Sequence, residues 1–163
     1  MPSDLADELI RQTLALAPIV VPIAVLMLVL AMPMPGRGPR PLQRRDPWRG
    51  FKYAPRRAVF ARAQGRCEGA RFIVWGRCPS PATEADHVYP WSRSGPTVLS
   101  NGQALCRSHN RSKSNLRPPW WYLRGLERRR AAYFPADVDR RVVARMSAEE
   151  RAARQVRSRR PAA

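Results

Sequence analysis

Apolar residues are laid out very unevenly along this chain. From Leu14 to Met32 they run uninterrupted, LALAPIVVPIAVLMLVLAM, with no charged or strongly polar side chain. A helix of nineteen residues spans roughly 28 Å, close to the hydrocarbon thickness of a bilayer. Pro18 and Pro22 would kink it, which membrane helices tolerate better than soluble ones. The pattern predicts a transmembrane helix over residues 14–35, preceded by an acidic leader, 1–13, with Asp4, Asp7 and Glu8 against Arg11. A cleaved signal peptide competes with this reading, although it wants a basic start and AMPMPG makes a poor cleavage site. A buried core helix, more often shorter and amphipathic, is the other competitor.

Beyond the helix the pattern changes. PMPGRGPRPLQRRDPWRG has no apolar periodicity and predicts a semi-extended linker, taken as 36–53. Ala54 to Gln64 predicts a short helix that buries Val59 and Phe60 and stops at Gly65. Ala70–Trp75 and Glu84–Tyr89 are short β-prone runs, Pro90–Thr97 is turn chemistry, and Asn101–Leu116 reads as a helix. After Pro118-Pro119, WWYLRGLERRRAAYF is helical in pattern. Ser147 and Glu150 stand at capping-box spacing ahead of a weakly apolar segment, a lone solvated helix or a frayed tail. The expected class is α+β: a small domain over 54–118 with a basic, aromatic-containing helical extension over 119–163.

Charge sharpens the picture. Lys and Arg total 30 against 12 Asp plus Glu, a net charge of +18. That excess attracts polyanions, nucleic acid first and an anionic membrane surface second. Nearly all of it is arginine, and abundant Ala and Pro suggest that genomic base composition contributes. Arg37, Arg40, Arg44, Arg45 and Arg49 follow the apolar run, so the positive-inside rule expects a single-pass cell-membrane protein with its basic domain in the cytoplasm. Three cysteines cannot all pair within the chain. Cys67, Cys78, Cys106, His87 and His109 fall within 43 residues, and such clustering of scarce ligands favours a metal site over a disulfide framework.

Asp86-His87 is followed by Asn101 fourteen residues after His87, and by Asn110 nine residues later, inside CRSHNRSK (106–113). Over about Ala54 to Asn115 this resembles the HNH endonuclease family, with its Asp-His, central Asn, and final His or Asn within a Cys-x-x-Cys-His/Asn-x-x-Lys pattern. The resemblance implies a ββα-metal fold: two antiparallel strands and a helix clasping a divalent ion. It implies that His87 is the general base, imidazole being able to take a proton from water near neutrality. Asp86 and Asn110 would hold the ion, Mg²⁺ or another such as Mn²⁺, through hard oxygen ligands. Asn101 would tie the loop and help orient His87.

Many members of that family also carry two Cys-x-x-Cys knuckles that bind zinc. Here ten residues separate Cys67 from Cys78, and His109 stands where the second cysteine of the later knuckle would be. Cys67, Cys78, Cys106 and His109 still make a Cys₃His set for a structural Zn²⁺, unless the insertion has destroyed the site. Arg93, Arg107, Arg111, Lys113 and the Arg128–Arg130 run are candidate phosphate contacts, with weak sequence preference because backbone contacts do not specify bases. Trp120, Trp121 and Tyr122 could stack on unpaired bases, though packing of the following helix is the commoner use. The overall expectation is a membrane-tethered, metal-dependent DNA endonuclease. Its rivals are a non-catalytic, zinc-stabilised nucleic-acid-binding module and a membrane protein with a degenerate HNH core.

Overall fold

A computed structural model describes residues 2–40, 43–73 and 75–158. Met1, Pro41, Leu42, Val74 and the last five residues of the expected C-terminal extension lie outside the described residues. The chain divides into two compact units, Met1–Met32 and Pro33–Ala163.

The first unit is one helix, α1 (Pro2–Ala31), which takes in both the expected acidic leader and the apolar run. Pro18 and Pro22 lie within it. Its stretch Leu14–Ala31 is long and apolar enough to cross a membrane and buries none of its residues, a test that a signal sequence also passes.

The second unit opens with a segment that differs from the expected linker. Several of its described residues pack onto the domain: Ala144 N–H donates to Arg37 O at 2.9 Å, Arg37 pairs with Glu127, and Asp46 and Phe51 are buried. Helix α2 (Tyr53–Arg62) follows, and the left-handed backbone at Gln64 and Gly65 ends it. Val59, 1% exposed, packs with Phe51, Ala63 and Ala104. Burial of such a side chain contributes about 1.5–3 kcal/mol. Phe60 is only partly buried against the same cluster.

The β-prone run after Cys67 is not one strand but a hairpin, β1 (Ala70–Phe72) and β2 (Trp75–Arg77). Folding back in this way returns Cys78 to the side of Cys67, with Cys78 N–H donating to Gly69 O and Cys67 N–H to Ser80 O. The insertion is thus a projection from the knuckle that leaves its base closed.

Strand β3 (Glu84–His87) pairs antiparallel with β4 (Gly102–Leu105), aligning Asp86 with Gln103 and His87 with Gly102. This corrects the expected helix over 101–116. All four residues of β4 are buried, and satisfying their backbone groups through the β3 ladder overrides the helix-like spacing. The helix is the shorter α3 (Arg107–Lys113), so β3, β4 and α3 together form a ββα unit. Helix α4 (Trp120–Arg130) closes the domain by burying Leu123 and Leu126 against Val88, Tyr89, Val142 and Ala144. Tyr122 serves packing as well: it is partly buried there and donates its hydroxyl to Gln103 Oε1 at 3.0 Å.

Arg130, expected among the phosphate contacts, is instead 1% exposed. Its Nε donates to Glu68 Oε1 at 2.8 Å, and one of its terminal nitrogens donates to Gly102 O at 2.7 Å. Tyr133 and Ala104 N–H complete the partners of the Glu68 carboxylate. Removing one partner of such a pair strands a buried charge. Glu68→Ala should therefore destabilise the domain by about 3–5 kcal/mol in urea unfolding, and a loss under 1 kcal/mol would show the pair to be dispensable.

Helix α5 (Ala148–Ser158) begins at the expected capping box, with Glu150 N–H on Ser147 Oγ at 3.1 Å and Ser147 N–H on Glu150 Oε2 at 2.7 Å. It is no lone helix, because Arg154 reaches back into the domain.

Candidate active site

The ββα unit assembles its groups from three places. Strand β3 carries Asp86 and His87 as neighbours, the loop back to β4 carries Thr97 and Asn101, and α3 packs on both strands and carries Asn110 and Lys113.

Asn101 is wholly buried and staples the loop. Its Oδ1 accepts Tyr89 N–H at 2.8 Å, while its Nδ2 donates to Tyr89 O at 3.1 Å and Pro96 O at 2.9 Å. The loop also needs Gly95, where a Cβ would sit 1.8 Å from Tyr89 O. Asn101 thus fixes the backbone leaving His87.

His87 is 4% exposed, its ring centroid 4.8 Å from that of Phe51, and its Nε2 lies 2.9 Å from Thr97 Oγ1. The Thr97 hydroxyl donates to Trp48 O. A hydroxyl has a single hydrogen, so toward His87 it can only accept. That puts a proton on Nε2 and turns Nδ1 toward Asp86, whose Oδ1 is 3.8 Å away.

Lys113 Nζ lies 2.8 Å from Asp86 Oδ2. Burial pushes the Asp86 carboxyl up, but the His87 ring and the Lys113 ammonium outweigh it and hold the group at about 2. Asp86 is therefore an anion at neutral pH, with a cation already drawn to one oxygen. Among the described residues no hydrogen bond occupies the Asn110 side-chain amide. The Lys113 ammonium marks where positive charge is favoured beside the Asp86 carboxylate.

The second cluster is built at the knuckle. One ligand atom from each of Cys67, Cys78, Cys106 and His109 lies within 4.8 Å of every other. Nδ1 of His109 is 3.2 Å from Cys106 Sγ and 3.7 Å from Cys67 Sγ. A zinc tetrahedron with Zn–S bonds of about 2.3 Å has edges of about 3.8 Å, so only small adjustments separate this group from a metal shell. His109 Nε2 donates to Ala70 O at 3.0 Å, which orients the Nδ1 lone pair toward the sulfurs. Gly69 is required beside it, because a Cβ there would stand 2.5 Å from the His109 ring. Burial pushes the Cys67 thiol up to about 12, whereas at Cys78 the hydrogen bonds from Ser80 outweigh burial and lower it. All three cysteines are free thiols.

One cluster lies on the ββα unit, and the other joins its helix to the base of the β1–β2 hairpin. Residues 69–116 match the HNH endonuclease family. No curated protein and no solved structure matches the chain. The HNH segment supports a nuclease or nucleic-acid-binding role with a metal site, and the Cys₃His group fits the zinc-knuckle kind of HNH domain.

Of the expected phosphate contacts, Arg107 and Arg111 stand exposed on α3, and Arg93 is exposed with its Nε on Asn115 O at 2.7 Å. Lys113 faces Asp86 instead. Several other arginines hold the fold together. Arg77 donates to Cys67 O and lies 3.6 Å over the Tyr133 ring, and Arg66 Nε donates to Cys78 O. Sequence reasoning missed Thr97, Gly69, Glu68 and Asp46. The carboxylates had a usable signal in their scarcity, for Asp46 is the only acidic residue between Glu8 and Glu68.

Proposed function

We propose that the protein is a metal-dependent DNA endonuclease in which His87 activates water for attack on a phosphodiester. The observation that carries this reading is the His87 ring, its Nε2 2.9 Å from the Thr97 hydroxyl and its Nδ1 on the side of an ionised Asp86. Water loses a proton to Nδ1 as its oxygen attacks phosphorus, and the bond from phosphorus to one bridging oxygen breaks. A divalent ion bound by Asp86 and Asn110 would supply stabilisation of the charge that develops on the phosphate and the departing oxygen. Asn101 keeps the loop in register behind His87. Arg93, Arg107 and Arg111 would meet neighbouring phosphates, which positions a duplex without reading its sequence. Mg²⁺ suits the oxygen donors of the catalytic site, and Zn²⁺ the Cys₃His group.

The same reading takes residues 14–31 as a membrane anchor, with the basic domain on the cytoplasmic side. Its support is the span's length and apolarity and the arginines that follow it. The near-complete burial of His87 favours a second reading, nucleic-acid binding without cleavage. Supercoiled plasmid separates the two. The full chain in detergent with Mg²⁺ should convert it to the nicked form, and a chelator should stop the reaction. Folded protein that retains the plasmid but never cuts it, with Mg²⁺ or Mn²⁺, would establish the binding module instead.

A further inference from the structure

The group that orients His87 is itself held by residues outside the matched HNH segment. Asp46 is 1% exposed, and its Oδ2 accepts Thr97 N–H at 2.9 Å while its Oδ1 accepts Trp48 N–H at 2.9 Å. From α5, Arg154 Nε meets the same carboxylate at 3.2 and 3.4 Å, and a terminal nitrogen of Arg154 donates to Thr97 O at 2.8 Å. The guanidinium also lies 3.3 Å over the Trp48 ring. Thr97 is thereby fixed at its amide by Asp46, at its carbonyl by Arg154, and at its hydroxyl by Trp48 O. What remains free on that hydroxyl is a lone pair, directed at His87 Nε2.

We infer that Asp46 and Arg154 are positioning residues for the His87 base, acting through Thr97 to keep the imidazole proton on Nε2. The inference rests on the proposed role of His87 in cleavage. Physically, the Asp46–Arg154 pair fixes both peptide groups of Thr97, so its side chain has one rotamer in which it can bridge Trp48 O and the imidazole. Releasing either peptide group lets the hydroxyl swing away, and the imidazole can then carry its proton on Nδ1, where it cannot accept one from water. Thus residues 69–116 supply the base, while the segment around Asp46 and the C-terminal helix determine which nitrogen of it is basic.

A stabilising ion pair with no positioning role would have the same contacts, so the test reads the imidazole directly. Nitrogen-15 shifts of the His87 ring distinguish the two tautomers, and they are measured in the full chain together with plasmid nicking. Wild type should show the Nε2–H form. Asp46→Asn removes an acceptor from the clasp, and Arg154→Lys keeps the charge but loses the second donor to Thr97 O. Each should give a mixture of tautomers and a kcat lower by about tenfold to a hundredfold, with KM within about twofold, as when an orienting partner is lost. Thr97→Val should do the same, and Thr97→Ser should restore both readouts.

Folded variants with the wild-type tautomer and wild-type kcat would overturn the inference, whatever their melting temperatures. A wild-type ring carrying its proton on Nδ1 would overturn it too. If wild type does not cut DNA but the tautomer still shifts in the variants, the nuclease reading fails and the positioning contact stands.

Discussion

Replacing His87 by alanine is expected to lower metal-dependent plasmid cleavage by about 10²–10⁴-fold, the range that a positioned general base contributes. No neighbouring group can substitute for it. Asp86 is held at about 2 and is too weak a base, and Lys113 is a cation committed to Asp86. Truncation also has a structural cost, because the ring is 4% exposed and packs 4.8 Å from the Phe51 ring. Emptying such a site costs about 2–5 kcal/mol, enough to confuse lost chemistry with lost fold. His87→Gln avoids the confusion by filling most of the space and keeping an N–H donor toward Thr97 without a basic ring nitrogen. Both variants should stay folded by circular dichroism and bind plasmid with wild-type affinity while failing to nick it. Cutting at the wild-type rate by either folded variant would remove His87 from the mechanism.

The contrast between what could and could not be read in the sequence follows the range of the interactions. Local signals were legible. Ser147 and Glu150 gave the capping box, Gly65 the end of α2, and the apolar run α1, because each depends on neighbours within a turn or two. The Cys₃His group was legible from the scarcity of its members, and the structure brings their ligand atoms together. Gly102–Leu105 was not legible: its spacing suits a helix, and only pairing with β3 across the loop makes it a strand. The run Ala70–Trp75 read as a single strand rather than a hairpin, since the turn that closes it has no Asn-Gly or Asp-Gly signature.

Charge misled for a different reason. With 30 basic residues against 12 acidic ones, each arginine looks like a phosphate contact. Some of them are spent inside the protein, several on buried or half-buried carboxylates. Glu68 takes Arg130, Glu127 takes Arg37, Asp46 takes Arg154 and Asp86 takes Lys113. In so basic a chain a buried acid is the rarer and more informative residue, and following the acids from Asp46 leads to Thr97 and then to His87.

Zinc removal should have the largest effect on stability. The purified protein is expected to carry a single tightly bound zinc, and Cys106→Ser should abolish that binding and the cooperative unfolding of the basic domain. The three thiols and Leu105 form a core cluster of their own, too small to order the hairpin and the start of α3 by apolar burial. A structural zinc contributes about 10–16 kcal/mol in small zinc-finger peptides, comparable with the whole 5–15 kcal/mol stability of an ordinary domain. The damage should also spread in a defined direction. Cys67 precedes Glu68, whose carboxylate holds Ala104 N–H of β4 and Arg130 of α4, so loss of the metal loosens the strand opposite His87. Hydrogen exchange after chelation should therefore rise first at β1–β2 and α3, next at β4, and last in the α4 core around Leu123 and Leu126. A protein purified without zinc that unfolds as one sharp transition, unmoved by chelator, would show that buried thiols and the Glu68–Arg130 pair suffice to hold the knuckle closed.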